Sequence, residues 1–447
     1  MNNYQLSVKK YPVYKDSGIE WLGDVPEHWE VRRLKDIKAN IPNAFVDGPF
    51  GSNLKTEHFI ENGAVYVIDS GYITSGLFEI KREFKTISNE HFLTVNRSQC
   101  FHNDIIISKI GANFGMSGIL PLLDKPSLVS GNTLKLTINR KLYNLKFIHY
   151  QLLNLKVNGV FDVLVKGSAQ PALSMGLLNP IPFTTPSLQE QKSIATYLDT
   201  KTAQCDRKID LLTQKATKYG KLKQSLINET VTRGLDKSVP MKDSDYEWNH
   251  KIPTSWKETR VKNIFKLVTD LAPNDNNFEL LSLFASIGVK PRKDMEQRGN
   301  KSVTTDGYWM VKKGDIIVNK LLAWMGSIGL SDYDGVTSPA YDILRKSSEK
   351  VDQRFYTYLF RTEIAQAIFK KQSRGIMDVR LRLYFDKFGA ISVPFPPPEE
   401  QKAIADYLDT KTAQIDQIIQ TINTQIEKLK ELRKTLINDV VTGKIRV

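Results

Sequence analysis

Few residue combinations in this chain have the types and spacing for chemistry, and each has a plainer explanation. Asp69 followed by Glu79-Ile80-Lys81 fits the loose carboxylate and Glu-x-Lys pattern of a nuclease after a β run, a match that short spacings often give by chance. Asn179-Pro180-Ile181-Pro182-Phe183 comes close to the Asn-Pro-Pro-aromatic loop that holds a flipped adenine. Ile181 breaks that tight turn, so a strand terminus is expected there. Asp47 to Ser52 superficially suggests a cofactor glycine loop, but no parallel strand and following helix surround it; a DNA-facing loop or a tight turn is expected instead. No Gly-Lys-Ser/Thr phosphate loop occurs, so ATP chemistry must lie elsewhere. His28, His58, His91, His102, His149 and His250 never fall at metal-ligand spacing with a cysteine or a second histidine, and they read as scattered surface and core imidazoles. Cys100 and Cys205, far apart, suit a reduced compartment without a disulfide framework. No catalytic residue and no metal site is expected.

Charge gives the first positive signal. The 447 residues carry 63 Lys+Arg against 49 Asp+Glu, a net +14, which favours an extended anionic partner, nucleic acid first, over a small acidic ligand. With 41% apolar and 10% aromatic residues the chain is expected to fold into two or three domains. No stretch approaches the roughly 20 apolar residues of a spanning helix, so no membrane partner is expected. The polar, aromatic segment Met1 to Trp21 lacks a signal-peptide core, and a cytoplasmic location is expected.

The elements that must position any reader of nucleic acid are written twice. Glu190-Gln191-Lys192 recurs as Glu400-Gln401-Lys402, the run Tyr197 to Gln204 recurs unbroken as Tyr407 to Gln414, and Leu226-Ile227-Asn228 returns as Leu436-Ile437-Asn438. Upstream, Lys15-Asp16-Ser17, Glu20-Trp21, Pro26 and Trp29 match Lys242-Asp243-Ser244, Glu247-Trp248, Pro253 and Trp256. Between these landmarks Asp104 to Ile107, Lys109, Gly115 and Gly118 align with Asp315 to Val318, Lys320, Gly326 and Gly329. Each half continues into an aromatic helix, predicted over Asn144 to about Val163 and Asp352 to about Gln372.

Read in sevens, the repeats give a seam of Leu198, Cys205, Leu212, Tyr219 and Leu226, and again Leu408, Ile415, Ile422, Leu429 and Leu436. A 4-3 apolar spacing over four to five heptads predicts two long helices, near 187–233 and 397–442, paired as an antiparallel coiled coil. Ser187 with Glu190 reads as a capping box, and Gly234 and Gly443 as C-terminal glycines. Cys205 is then a seam residue and not a nucleophile. The variable spans carry short β runs, among them Ala64–Ile73, Ile105–Ile110, Leu134–Ile138 and Ile316–Lys320, and many Gly turns.

The fold class expected is therefore α+β, with pseudo-two-fold duplication and two recognition domains separated by the two long helices. The divisions are 1–21, an N-terminal segment packing on the C-terminal helix; 22–185, first domain; 186–235, central helical region; 236–248, the repeat of the N-terminal segment; 249–395, second domain; and 396–447, distal helical region. Trp21 and Trp29 should return to the C-terminal helix, and Trp248 and Trp256 to the central one.

Together these pieces resemble the specificity subunits of type I restriction-modification enzymes. The resemblance rests on Asp47-Gly48-Pro49-Phe50-Gly51-Ser52-Asn53-Leu54-Lys55, Ser338-Pro339-Ala340-Tyr341, the loop Gly167-Ser168-Ala169-Gln170-Pro171 before a Pro-containing strand, and the two Glu-Gln-Lys helices. It covers essentially the whole chain, and the paired arrangement is more specific than any single motif. It implies two target-recognition domains, each reading one half of a bipartite double-stranded DNA site, the first domain the 5′ half. The helical regions would dock two methyltransferase subunits, which modify adenine N6, and through them the restriction subunits. No cofactor is implied on this chain; S-adenosylmethionine, ATP and Mg2+ are expected on the partners. Arg233-Gly234 in place of Gly443-Lys444, and Cys205 in place of Ile415, are modest departures.

Polar and basic side chains in Gly-punctuated loops can reach phosphates and base edges. The DNA-binding candidates are Ser52, Asn53, Lys55, Lys109, Asn113, Asn132, Lys166, Ser168 and Gln170 in the first domain, and Lys320, Trp324, Ser338, Tyr341, Arg374, Arg380 and Arg382 in the second. Two rivals make different expectations. A stand-alone adenine methyltransferase or nuclease would bind its cofactor as an isolated chain, and a non-specific coiled-coil scaffold would bind every sequence equally.

Overall fold

The structure, a computed structural model, describes residues 9–447 apart from 75, 112, 167–170, 245–247, 249–250, 285–287, 295–304 and 376–380. The chain divides into two compact units, Met1–Leu211 with Gln425–Val447, and Leu212–Thr424. The predicted long helices are a central helix, Leu188–Arg233, and a distal helix, Pro398–Val441. Ser187 Oγ accepts the Glu190 N–H at 3.2 Å, which starts the central helix. The distal helix opens on Pro398, whose missing N–H would have had no partner in a first turn. Both helices stop at a glycine with φ +79°, Gly234 and Gly443, where a β-carbon would be strained.

The heptad seam is legible in burial. Leu198, Leu408, Ile415 and Ile422 are buried; Cys205, Leu212, Tyr219, Leu226, Leu429 and Leu436 are partly buried. In the first unit the helices run antiparallel: Thr184, just before the central helix, donates to the Val441 carbonyl at 2.7 Å, and Asp206 further along faces Arg433 at 3.1 Å. In the second unit Lys223 pairs with Asp416 at 2.6 Å, while Gly234 lies against Glu400.

In the first unit an antiparallel sheet contains β1 (Phe45–Asp47), β2 (Ile105–Ser108), β3 (Ser117–Ile119) and β4 (Thr133–Leu136), in spatial order β3-β2-β4-β1. The second unit repeats it with β5 (Phe265–Leu267), β6 (Ile316–Asn319), β7 (Ile328–Leu330) and β8 (Tyr341–Lys346), in order β5-β8-β6-β7. Ile105, Ile107, Leu134 and Leu136 pack one face of the first sheet on Phe147, Ile148, Leu152 and Leu155; Ile316, Val318 and Leu344 pack on Phe355, Tyr356, Leu359 and Phe360 in the second. The first unit adds a five-stranded sheet that includes Val65–Ile68 paired in parallel with Ser127–Val129. Strands Pro182–Thr185 and Ser392–Phe395 close the two domains by pairing with Glu30–Arg33 and Lys257–Arg260.

The repeated helix sequence seats each domain on its helix. The buried amide of Gln191 accepts the Asn144 N–H at 2.8 Å and donates to the Pro186 carbonyl at 2.8 Å; Gln401 accepts from Asp352 at 3.0 Å and donates to Pro396 at 2.8 Å. Tyr150 donates to Asp199 at 2.9 Å, and Tyr358 to Asp409 at 2.7 Å.

Three expectations need correction. Each aromatic helix is broken in two: α1 (Leu145–Val157) and α2 (Val160–Leu164) part at Gly159, which has φ +75°, and α3 (Gln353–Phe360) and α4 (Glu363–Gln372) part at Thr362, whose hydroxyl caps the new helix by accepting the Ala365 N–H. The β run Ala64–Ile73 is interrupted by a 3-10 turn, Ser70–Tyr72, capped by Asp69. Trp29 is fully buried with Ile437 and Val440 of the distal helix, but Trp21 is 42% exposed and does not join it. Trp248 and Trp256 both lie in the core that holds Val231 of the central helix.

Candidate nucleic-acid interface

In the first unit the antiparallel registers Ser108↔Thr133, Leu134↔Asp47 and Ile107↔Ser117 bring the end of β2, the start of β4, the end of β1 and the start of β3 to one edge of the sheet. Loops carrying most of the candidates spring from that edge. The Lys109 N–H donates to the Asn132 carbonyl at 2.8 Å, and the Lys109 carbonyl accepts from Leu173 at 3.0 Å, so three loops meet on one lysine backbone. Its ammonium stands 3.4 Å from Asp47, which Arg97 also approaches at 3.4 Å. A cleft lined by Gly48, Phe50, Lys85, Lys109 and Asn132 opens there.

The second unit repeats the edge with other side chains. Lys320 donates its N–H to the Ala340 carbonyl at 3.3 Å and its carbonyl accepts from Leu383 at 2.9 Å; its ammonium stands 3.4 Å from Asp342. Burial pushes the Asp342 carboxyl above the ordinary carboxylate range, with Lys320 opposing it. The turn before β8 closes with the Tyr341 N–H on the Ser338 carbonyl at 3.0 Å, and the turn before β4 closes alike, Thr133 on Ser130 at 3.0 Å.

Placed on these edges, the candidates sort as follows. Ser52, Asn53 and Lys55 are exposed on the loop after β1, with Lys55 3.6 Å from Glu57. Asn113 is partly buried and donates to the Ser70 carbonyl at 3.2 Å. Asn132 and Lys166 are exposed. Trp324 lies in a 3-10 turn after β6, with the Lys370 ammonium 5.1 Å from its ring centre. Arg374 and Arg382 are exposed and bridged through their backbones at 2.9 Å, and Arg374 pairs with Asp386 at 3.0 Å. Ser168, Gln170 and Arg380 lie outside the described residues. The sequence marks Asp47 only as part of its loop and does not mark Asp342; the two carboxylates come from non-equivalent strands, Phe45–Asp47 and Tyr341–Lys346, so the alignment of Lys109 with Lys320 carries no signal for them.

The nuclease-like residues are otherwise engaged: Asp69 is clasped by Arg82 at 2.6 Å and Glu79 by Lys81 at 2.6 Å. Burial pushes the Cys100 thiol up to about 12, far from a nucleophile's range. No described helix is long and apolar enough to cross a membrane.

A family model described as the type I restriction modification DNA specificity domain matches residues 26–217 and again 253–428. Among curated proteins, a putative type I restriction enzyme MjaX specificity subunit from Methanocaldococcus jannaschii is 23% identical over 440 residues, covering 95% of this chain and 96% of the relative. The MjaVIII specificity subunit of the same organism is 26% identical over 446 residues, covering 95% and 94%. In fold, the chain is similar to a structure described as bearing on the assembly and conformational transition of a type I R-M system, with TM-score 0.66, 15% identity and coverage of 93% and 98%. It is also similar to the HsdS subunit from Thermoanaerobacter tengcongensis, with TM-score 0.53, 17% identity and coverage of 94% and 98%.

Proposed function

The chain belongs to the type I restriction modification DNA specificity family, and from that premise we propose that each sheet edge described above reads one half of a split DNA sequence. The chain is a non-catalytic, sequence-specific DNA-binding subunit of a restriction-modification complex. The observation that carries the proposal for the edges is the recurrence of a lysine, Lys109 and Lys320, at the same backbone junction in loops that otherwise differ.

Each lysine is held by a carboxylate at 3.4 Å, a long and partly solvated pair that a phosphate can replace. Lysine and arginine contacts to phosphates set register without reading sequence, while Asn, Ser and Tyr side chains on the neighbouring loops address base edges. Unlike loops on one scaffold then give unlike half-sites, the first domain taking the 5′ half. The partners are two methyltransferase subunits docked on the helical regions, and restriction subunits reached through them; S-adenosylmethionine, ATP and Mg2+ belong to those partners, and the assembly works in the cytoplasm.

Replacing residues 22–185 with the same span of a relative tests the reading. Methylome sequencing should show one half of the methylated motif changed and the other kept. A change in both halves would refute independent readers.

A further inference from the structure

Phe50 stands out on the edge of the first unit. It is 68% exposed. Single exposed apolar side chains are common, so exposure alone says little. What distinguishes Phe50 is that its backbone is fixed from both sides. Before it, the Gly48 N–H donates to the Thr133 carbonyl at 3.2 Å, and Gly48 lies so close to Ser130 that a β-carbon would stand 2.0 Å from the Ser130 oxygen. After it, the Asn53 N–H closes a turn on the Phe50 carbonyl at 2.8 Å. His91 Nε2 holds the Asn53 carbonyl at 2.9 Å, and the Lys55 N–H donates to His58 Nδ1 at 3.0 Å, with the two imidazoles stacked 3.9 Å apart. Two loops and a helix thus present one benzyl group to solvent at the rim of a cleft whose lining mixes Leu54, Phe59 and Val67 with Asp69, Lys85 and Lys109.

We propose that Phe50 is a wedge that enters the base stack of the half-site read by the first unit and partly unstacks one base step. This rests on the DNA-reading assignment of the sheet edge. A phenyl ring offers no hydrogen bond to a base edge, so its contribution is apolar contact, either with a thymine methyl in the groove or with a base face in the stack, and the rigid outward mount at the rim of the cleft favours the stack. The rigid mount matters because a ring on a slack loop would fold back onto the cleft instead of separating two bases. The neighbouring ammonium groups supply the charge complement, holding the phosphates on either side while the ring is inserted.

The test uses the full-length chain and a duplex carrying the methylome-mapped site, with 2-aminopurine placed in turn at each position of the first half-site. Wild type should raise the fluorescence at one step. Phe50→Ala should abolish that rise and weaken binding by about 5- to 150-fold, the range set by loss of one base–aromatic contact, with the salt slope unchanged. Phe50→Leu should keep much of the rise, because aliphatic wedges also unstack bases. Both variants should melt with wild type, since the side chain is mostly in solvent. Three results overturn the proposal: Phe50→Ala binding like wild type; weaker binding with no unstacking signal in wild type, which would make Phe50 a groove contact; or intact DNA binding with lost methyltransferase assembly, which would make it a protein-docking residue. Lys109→Ala separates this from the parent assignment: it should lower the salt slope by roughly 0.9 per lost phosphate contact, and an unchanged slope there strikes the sheet edge itself.

Discussion

Gly48→Ala against Gly51→Ala is a decisive comparison, because the two glycines sit three residues apart in one loop and differ only in the space around them. At Gly48 a β-carbon would stand 2.0 Å from the Ser130 carbonyl oxygen, 2.1 Å from its carbon and 2.5 Å from the Val129 oxygen, all backbone atoms. At Gly51 nothing lies within 4 Å. Neither residue has positive φ, so the difference is one of packing and not of conformational freedom. Relief at Gly48 requires a shift of more than 1 Å, and the Ser130 turn leads directly into β4, which is registered to both β1 and β2. Overpacking of this kind costs roughly 1–3 kcal/mol. In a unit of this size each kcal/mol lowers Tm by about 2–4 °C, so Gly48→Ala should melt roughly 2–12 °C below wild type, whereas Gly51→Ala should melt at the wild-type temperature. Because the distortion falls on the reading edge, methylation should lose discrimination in one half-site and keep the other. Equal melting of the two variants, or equal loss in both half-sites, would refute the close approach and the edge assignment respectively.

Two further outcomes follow from buried polar groups. Gln191→Leu removes the acceptor of the Asn144 N–H and the donor to the Pro186 carbonyl, leaving buried backbone groups unmade, and should destabilise the first unit by roughly 2–4 kcal/mol; Gln401→Leu should do the same to the second, both read by thermal unfolding. Burial lowers the pKa of His149, whose Nε2 faces the Ser117 carbonyl at 3.0 Å, so below its ordinary value of about 6.5 the unfolded chain binds the proton that the folded unit resists. Its contribution is complete above that pH and is lost as pH falls from there through the lowered folded value; melting between pH 7.5 and 5.5 should show the fall, and His149→Gln should flatten it.

The parts of this fold that were legible in the sequence are those with a period or a copy. A seven-residue repeat over four to five heptads has one geometric solution, and the helices begin and end within a residue of the expected positions. The aromatic helices were overextended because apolar spacing continues across a break that a single residue makes, Gly159 in one and Thr362 in the other. Trp21 was misplaced because it recurs as Trp248 in the repeat, yet Trp248 is buried with its indole N–H on the Ser392 carbonyl at 2.6 Å while Trp21 is 42% exposed; recurrence of a residue type does not carry its contacts with it. Burial of Phe50 could not be judged from sequence either, since Gly-Pro-Phe-Gly is compatible with a ring turned in or out.

Contrast between the repeated and unrepeated residues explains how such a chain can change its target. Gln191 with Gln401, Asp199 with Asp409, and Asp104 with Asp315 are used inside their own units: each amide satisfies backbone groups, each of the first carboxylates accepts a tyrosine hydroxyl, and each of the second anchors a turn through the N–H of Phe101 or Lys312 at 2.8 Å. These groups have partners within the domain that would be orphaned by substitution, so folding constrains them. Phe50, Asn132, Arg374 and Arg382 are exposed, and their side chains do not hold the sheets together. A new recognition loop can therefore be fitted to either edge with little effect on the fold, provided that it keeps the lysine junction and the close approach at Gly48 in the first unit. The same separation makes the two halves free to diverge from each other, which is the condition for one chain to read two unlike half-sites.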